Sequence, residues 1–249
     1  MNRYFIEVAY LGAAYAGFQR QENAHTVQAE VERVLQVVNR EKVMLTGSSR
    51  TDAGVHARQN YFHYDFDGGQ PERLVYNLNA LLPRDCAVLS LRRVPAEAHC
   101  RFDAIGREYR YYCYGKKDPF REGRAYFYPY SVDMGRMQEA AGILMEYEDF
   151  TSFSKRNTQV KTFRCRLTVS QWEEYDGGFL YHVKGNRFLR GMVRALTATM
   201  LRVGRGSITL ERFREIIEGR DCTLADFAVP AEGLFLERVH YPEGYFEKM

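Results

Sequence analysis

Residues 3–10 alternate apolar and polar side chains, the period of a half-buried strand. A glycine-punctuated loop runs from Gly12 to Gly17, followed by Phe18-Gln19-Arg20-Gln21. Thr26 suits a helix N-cap, although Ala29 stands where a capping box would place Glu. Val27, Val31, Val34, Leu35 and Val38 then recur at helical spacing. Residues 43–46 and 59–66 predict two more strands. Pro71 opens a second helix at a position where its missing N–H costs nothing. That helix sets Leu74, Val75, Leu78 and Leu81 on one side and stops before Pro83. Residues 87–94 predict a fourth strand. The order β-α-β-β-α-β is the ferredoxin-like unit. Such a sheet, backed by two helices on one face, keeps its other face free for a ligand.

The second half repeats this grammar. Strands are predicted at 107–114, 164–171, 179–184 and 234–241, with helices at 134–145, 188–203 and 210–218. The fold class expected is therefore α+β. Two ferredoxin-like halves, 1–104 and 105–249, would pair antiparallel sheets around a central cleft, with helices on the outer faces. The seam falls near residues 95–104.

Composition adds less than charge placement. The chain has 249 residues, 45% of them hydrophobic, and a net charge of only +3. Yet residues 150–172 contain no acid and carry Lys155, Arg156, Lys161, Arg164 and Arg166. Residues 177–210 are again acid-free, with Lys184, Arg187, Arg190, Arg194, Arg202 and Arg205. Such asymmetry points to a polyanion on one face of the second half. No run reaches the roughly 18 apolar residues of a membrane span. The five cysteines form no CxxC pair, which argues against a disulfide framework or zinc site and fits a reducing cytosol.

The stretch 47–57, Gly-Ser-Ser-Arg-Thr-Asp-Ala-Gly-Val-His-Ala, places Asp52 and Arg50 on a loop between two strands, where scaffolds hold chemistry. By itself the Arg-Thr-Asp string reads as an ordinary Asx turn. On a helix starting near Arg187, an arginine stripe of Arg187, Arg190 and Arg194 would lie about 120° from the apolar face, facing phosphates or a buried carboxylate. Tyr109 shares a strand face with Tyr111 and could stack on a base. No nucleotide-loop, zincin or nucleophile-elbow motif occurs, so no cofactor or metal is expected. His56 is expected to be a local hydrogen-bond partner.

The string Arg50-Thr51-Asp52-Ala53-Gly54-Val55-His56-Ala57 resembles the signature of the TruA family, the tRNA pseudouridine(38–40) synthases. Further blocks resemble that family along most of the chain: Tyr10-Leu11-Gly12, Arg101-Phe102-Asp103-Ala104, Tyr109-Arg110-Tyr111, Met192-Val193-Arg194 and Ala231-Glu232-Gly233-Leu234. The resemblance implies isomerisation of uridine in the anticodon stem-loop of tRNA, after the base is flipped out. It implies Asp52 as nucleophile, Arg194 as its ion-pair partner, Arg50 holding the flipped nucleotide and Tyr109 against the target base. Arg187, Arg190, Lys155 and Arg156 are the cations expected on RNA. A cytoplasmic homodimer without cofactor is implied. Three departures stand out. Ser49 replaces a usual glycine, which is expected to alter the turn. Leu11 replaces Asp and Phe18 replaces Trp, in a loop expected to touch RNA. A non-catalytic RNA-binding module would not need Asp52. A carboxylate-pair hydrolase would need a second acid that no pattern supplies.

Overall fold

The computed structural model describes residues 1–156 and 160–247. In chain order the elements are β1 (Asn2–Tyr10), α1 (Val27–Asn39), β2 (Thr46–Gly47), β3 (His56–Phe66), α2 (Leu74–Leu81), β4 (Cys86–Val94) and β5 (Gly106–Tyr114). Then follow β6 (Tyr126–Phe127), α3 (Met134–Ile143), β7 (Leu167–Tyr175), β8 (Gly178–Gly185), α4 (Met192–Gly204), α5 (Leu210–Glu218) and β9 (Leu234–His240). The α+β class holds. The chain divides into two compact units, Met1–Ile105 with Phe235–Met249, and Gly106–Leu234.

In the first unit β1 pairs antiparallel with both β3 and β4. The other edge of β3 carries β2 along Phe62–His63 and β9, parallel, along His56–Ala57. Thr26 caps α1 as expected, its Oγ1 accepting from Ala29 N at 3.2 Å. Helix α1 contains five valines, each costing about 0.5 kcal/mol in helix propensity. Burial of Val27, Val31 and Val34 outweighs that, at about 1.5–3 kcal/mol each as an upper bound.

Three features of this unit differ from the sequence reading. The strand expected at 43–46 shrinks to Thr46–Gly47, because side chains rather than a ladder take up the Leu45 backbone. Gln28 Nε2 donates to Leu45 O (2.8 Å), and Leu45 N donates to Glu32 Oε1 (3.1 Å). The sheet face opposite the helices is not free at its centre. Phe5 and Tyr61 are buried there beneath Tyr241, Tyr245 and Phe246, with ring centroids 5.4–6.5 Å apart. The closing strand, expected in the second half, packs with the first unit from Phe235 onward. Its pairing with β3 spans about 180 residues of chain and leaves no local signature.

The second unit is built on β5, β8 and β7 in that order, all antiparallel, with β6 parallel to β5. Trp172, Tyr181 and Val183 are buried. Trp172 Nε1 donates to Met200 Sδ of α4 (3.4 Å), and Trp172 N donates to Gln138 Oε1 of α3 (2.8 Å). Helix α4 begins at Met192, four residues later than its apolar pattern suggests, because Gly191 adopts φ 74° at the N-cap. That left-handed geometry suits glycine and breaks the helical run from Arg187.

Candidate active site

Residues 48–56 are anchored from both flanks. Ser48 N donates to Tyr61 O at 2.8 Å. Asn60, fully buried on β3, donates from Nδ2 to Ser49 O (2.8 Å) and to Tyr10 Oη (3.2 Å), and its Oδ1 accepts from Tyr61 N (2.9 Å). The Tyr10 and Thr51 hydroxyls share a hydrogen bond of 2.8 Å. From the first loop, Phe18 N donates to Thr51 O at 3.1 Å. Val55 N donates to Asp52 O at 3.1 Å, closing a turn over Ala53 and Gly54. Finally, Gly12 N donates to His56 Nδ1 at 2.9 Å, so His56 serves as a hydrogen-bond partner across 44 residues of chain rather than within its own loop. A Cβ on Gly12 would lie 2.1 Å from Val55 O, so only glycine admits this approach.

These bonds fix the backbone on which Asp52 sits half-buried, with Arg50 and Ala53 exposed beside it. Around them the loop is lined with buried hydroxyls, Ser48, Ser49 and Thr51. The backbone that carries the carboxylate is therefore ordered before any ligand arrives.

Two of the departures from the family pattern resolve as packing. Ser49 is absent from the positive-φ residues, so serine bends nothing here. Phe18 is 1% exposed and stacks on Phe62 at 4.4 Å and 7°, with Tyr10 at 5.9 Å. It supports the Asp52 loop from within and is not a surface contact for RNA. Leu11 is exposed.

The other expected site residues lie in the second unit. Arg194, half-buried on α4, aims Nε and Nη2 at Val229 O (3.0 and 2.7 Å), which sets the plane of its guanidinium. Tyr109 on β5 is buried with its ring edge-on to Phe188 at 5.1 Å. The stripe of three arginines is corrected: Arg187 and Arg190 precede α4, and only Arg194 is helical. The two acid-free tracts nevertheless meet. Asn186 Oδ1 accepts from both Arg166 N and Arg187 N at 2.8 Å, and Lys155 N donates to Arg190 O at 3.0 Å. Arg156 follows on the surface. Lys155, Arg190, Arg166 and Arg187 thus converge by fold although they are spread over 36 residues of sequence.

Sequence spacing did not reveal one further cluster, His63, His99 and Cys100, whose donor atoms lie within 4.8 Å of one another. Both Nδ1 atoms face backbone donors, and His63 Nδ1 also lies 3.2 Å from Cys100 Sγ. His63 Nδ1 accepts from Cys100 N (3.4 Å), and His99 Nδ1 from Arg101 N (3.1 Å) and Phe102 N (3.3 Å). The cluster ties residues 99–102 to β3. Burial and the neighbouring His99 push the His63 pKa down to about 4. No helix among the described residues is long and apolar enough to cross a membrane.

The chain thus holds a carboxylate loop braced by a polar scaffold and, in its second unit, a converged basic tract. A family model described as tRNA pseudouridine synthase matches residues 6–103 and 146–242. A tRNA pseudouridine synthase A of Porphyromonas gingivalis is 44% identical over 99% of this chain and 100% of its own length. That of Bacteroides thetaiotaomicron is 43% identical, over 100% of this chain and 94% of its own. That of Staphylococcus aureus is 38% identical, over 97% and 91%. The chain belongs to the tRNA pseudouridine synthase family, whose members are isomerases acting on tRNA.

Proposed function

We propose that the chain isomerises uridine to pseudouridine at positions 38, 39 and 40 of the tRNA anticodon stem-loop, with Asp52 as nucleophile. The observation that carries this reading is the anchored Asp52 loop, whose backbone is fixed by Asn60, Tyr10, Phe18 and Gly12 in a family that isomerises uridine. The target base leaves the stack at a cost of a few kcal/mol. The Asp52 carboxylate adds covalently, at C1′ of the ribose or C6 of the base. The N1–C1′ bond breaks, the uracil turns, and a C5–C1′ bond forms. The carboxylate then departs, the C5 proton goes to solvent and N1 gains a proton, so atoms and charge balance. Arg50 and Arg194 support the charged site, and Tyr109 lies against the base. Arg187, Arg190, Lys155 and Arg156 neutralise phosphates. The enzyme works in the cytoplasm as a homodimer, and side chains alone supply the chemistry.

The test is tritium release from tRNA labelled at C5 of uridine. Asp52→Asn is expected to abolish release while tRNA affinity stays within about threefold, because an amide of equal size is not a nucleophile. An active Asp52→Asn variant would remove Asp52 from the nucleophile's role. Position-resolved mapping of the product tests the assignment to 38–40, and product confined to other positions would refute it.

A further inference from the structure

At one end of the second unit's sheet, β5 runs out into the loop of residues 115–125. Phe120 in that loop is 87% exposed, Phe127 is 38% exposed, and Tyr175, at the turn between β7 and β8, is 48% exposed. Tyr114 links them. Its ring lies 5.4 Å from Phe127 and 5.9 Å beneath the Arg121 guanidinium, and its backbone pairs with Gly178 just past that turn.

The loop is built rather than slack. Asp118 Oδ1 accepts from Phe120 N (2.9 Å), and Arg121 Nε donates to Asp118 Oδ2 (3.1 Å). Arg121 Nη2 also donates to Asp176 Oδ2 (2.8 Å) and to the Asp176 carbonyl. Arg124 N and Ala125 N return to Arg121 O at 3.0 and 3.1 Å. The backbone beneath Phe120 is therefore ordered before any ligand arrives. Lys116, Lys117 and Arg124 are exposed and enter no ion pair among the described residues. Asp118 and Asp176 are both held by Arg121, which leaves Glu122 as the loop's other carboxylate.

A lone exposed ring needs no explanation. Three rings at one sheet end, one of them on a pre-ordered loop among cations, match the two demands of unpaired RNA: a flat face for a base and charge for its phosphates. We propose that this end of the second unit is a stacking platform for an unpaired nucleobase of the RNA substrate. Phe120 is its face, and Lys116, Lys117 and Arg124 meet the flanking phosphates. The inference rests on the tRNA reading above. A second copy of the chain is the competing occupant. Lys116, Lys117 and Arg124 exceed the two carboxylates beside Tyr114 that Arg121 does not hold, Glu122 and Glu232, and that excess suits a polyanion better than a self-complementary contact.

The experiment compares wild type, Phe120→Ala and Phe120→Trp with an unmodified tRNA transcript at fixed salt. Phe120→Ala is expected to weaken affinity about 5- to 150-fold, the loss of one base stack. In Phe120→Trp, the new indole is expected to be quenched on tRNA addition, against a background from the buried Trp172. Lys116→Ala with Lys117→Ala is expected to reduce the salt slope of binding. An affinity within twofold of wild type for Phe120→Ala, with no quenching in Phe120→Trp, overturns the platform even if wild type binds and isomerises tRNA. A change in sedimenting mass at unchanged tRNA affinity overturns it in favour of the second copy. If wild type neither binds nor isomerises tRNA, the reading beneath it falls first.

Discussion

Replacing Asn60 by leucine removes a buried amide without opening a large cavity. Asn60 bonds Ser49 O, Tyr10 Oη and Tyr61 N at 2.8, 3.2 and 2.9 Å. Tyr10 keeps its partner Thr51, so the main loss is the bond to Ser49 O, made where water does not reach. Taking a donor from a buried carbonyl costs about 1–3 kcal/mol, and the weaker losses bring the total to about 2–4 kcal/mol. Unfolding entropy is about 2.1 cal/mol/K per residue. If the first unit, about 120 residues, melts by itself, Tm falls by about 8–16 °C. If the whole chain melts together, the drop is about 4–8 °C. Calorimetry measures it, and single-turnover tritium release measures the consequence for Asp52. The rate is expected to fall at least about tenfold, because misplacement of a reacting group by about 1 Å costs about a hundredfold. Asn60→Asp separates charge from shape. Its carboxylate keeps the acceptor for Tyr61 N but turns a second oxygen toward Ser49 O. Only the protonated form can donate there, so the fold raises this acid's pKa. The penalty is absent below the ordinary aspartate value of about 3.9 and grows as pH rises above it. A leucine variant with Tm within about 1 °C of wild type and an unchanged rate would refute the bracing role.

Two further outcomes are expected. Because the folded protein holds His63 at about 4, below its ordinary 6.5, the unfolded chain binds the extra proton between these values. Stability is then full above pH 6.5 and falls by up to about 3 kcal/mol as pH drops toward 4, at about 1.36 kcal/mol per unit. His63→Gln should flatten that slope in urea midpoints, and an unaltered slope counts against the assignment. Replacing Arg187 and Arg190 together by alanine should weaken tRNA binding and lower the magnitude of the salt slope by about 1.4–1.8. An unchanged slope would place both arginines off the RNA.

Local pattern carried most elements, and nonlocal chemistry carried the differences. Alternation located β1, and Thr26 marked the start of α1. The early start given to α4 followed an apolar rhythm through Leu189 that continues in a loop, and Gly191 was the available signal to stop it. The strand at 43–46 failed because Gln28 and Glu32, a helix away, compete for its backbone. At the site, Asp52 was legible as a motif, but its supports were not. Asn60 offered a clue. It stands in the aromatic strand Asn60-Tyr61-Phe62-His63-Tyr64, where asparagine is disfavoured unless its amide has a use. The meeting of Lys155 with Arg190, and of Arg166 with Arg187, depends on strand register and could not be read from spacing.

The return of the chain from Phe235 to the unit that carries Asp52 has a consequence for synthesis. On the ribosome, domains ordinarily complete in the order they emerge. Here the unit begun first is finished last. At about 5–20 residues per second, its first 105 residues wait about 6–26 s for the strand that pairs with His56 and Ala57. The uninterrupted second unit is made in that interval and is complete at Leu234, one residue before the first unit resumes. A message cut short before codon 235 would therefore yield a chain with its basic tract complete and its Asp52 unit unfinished.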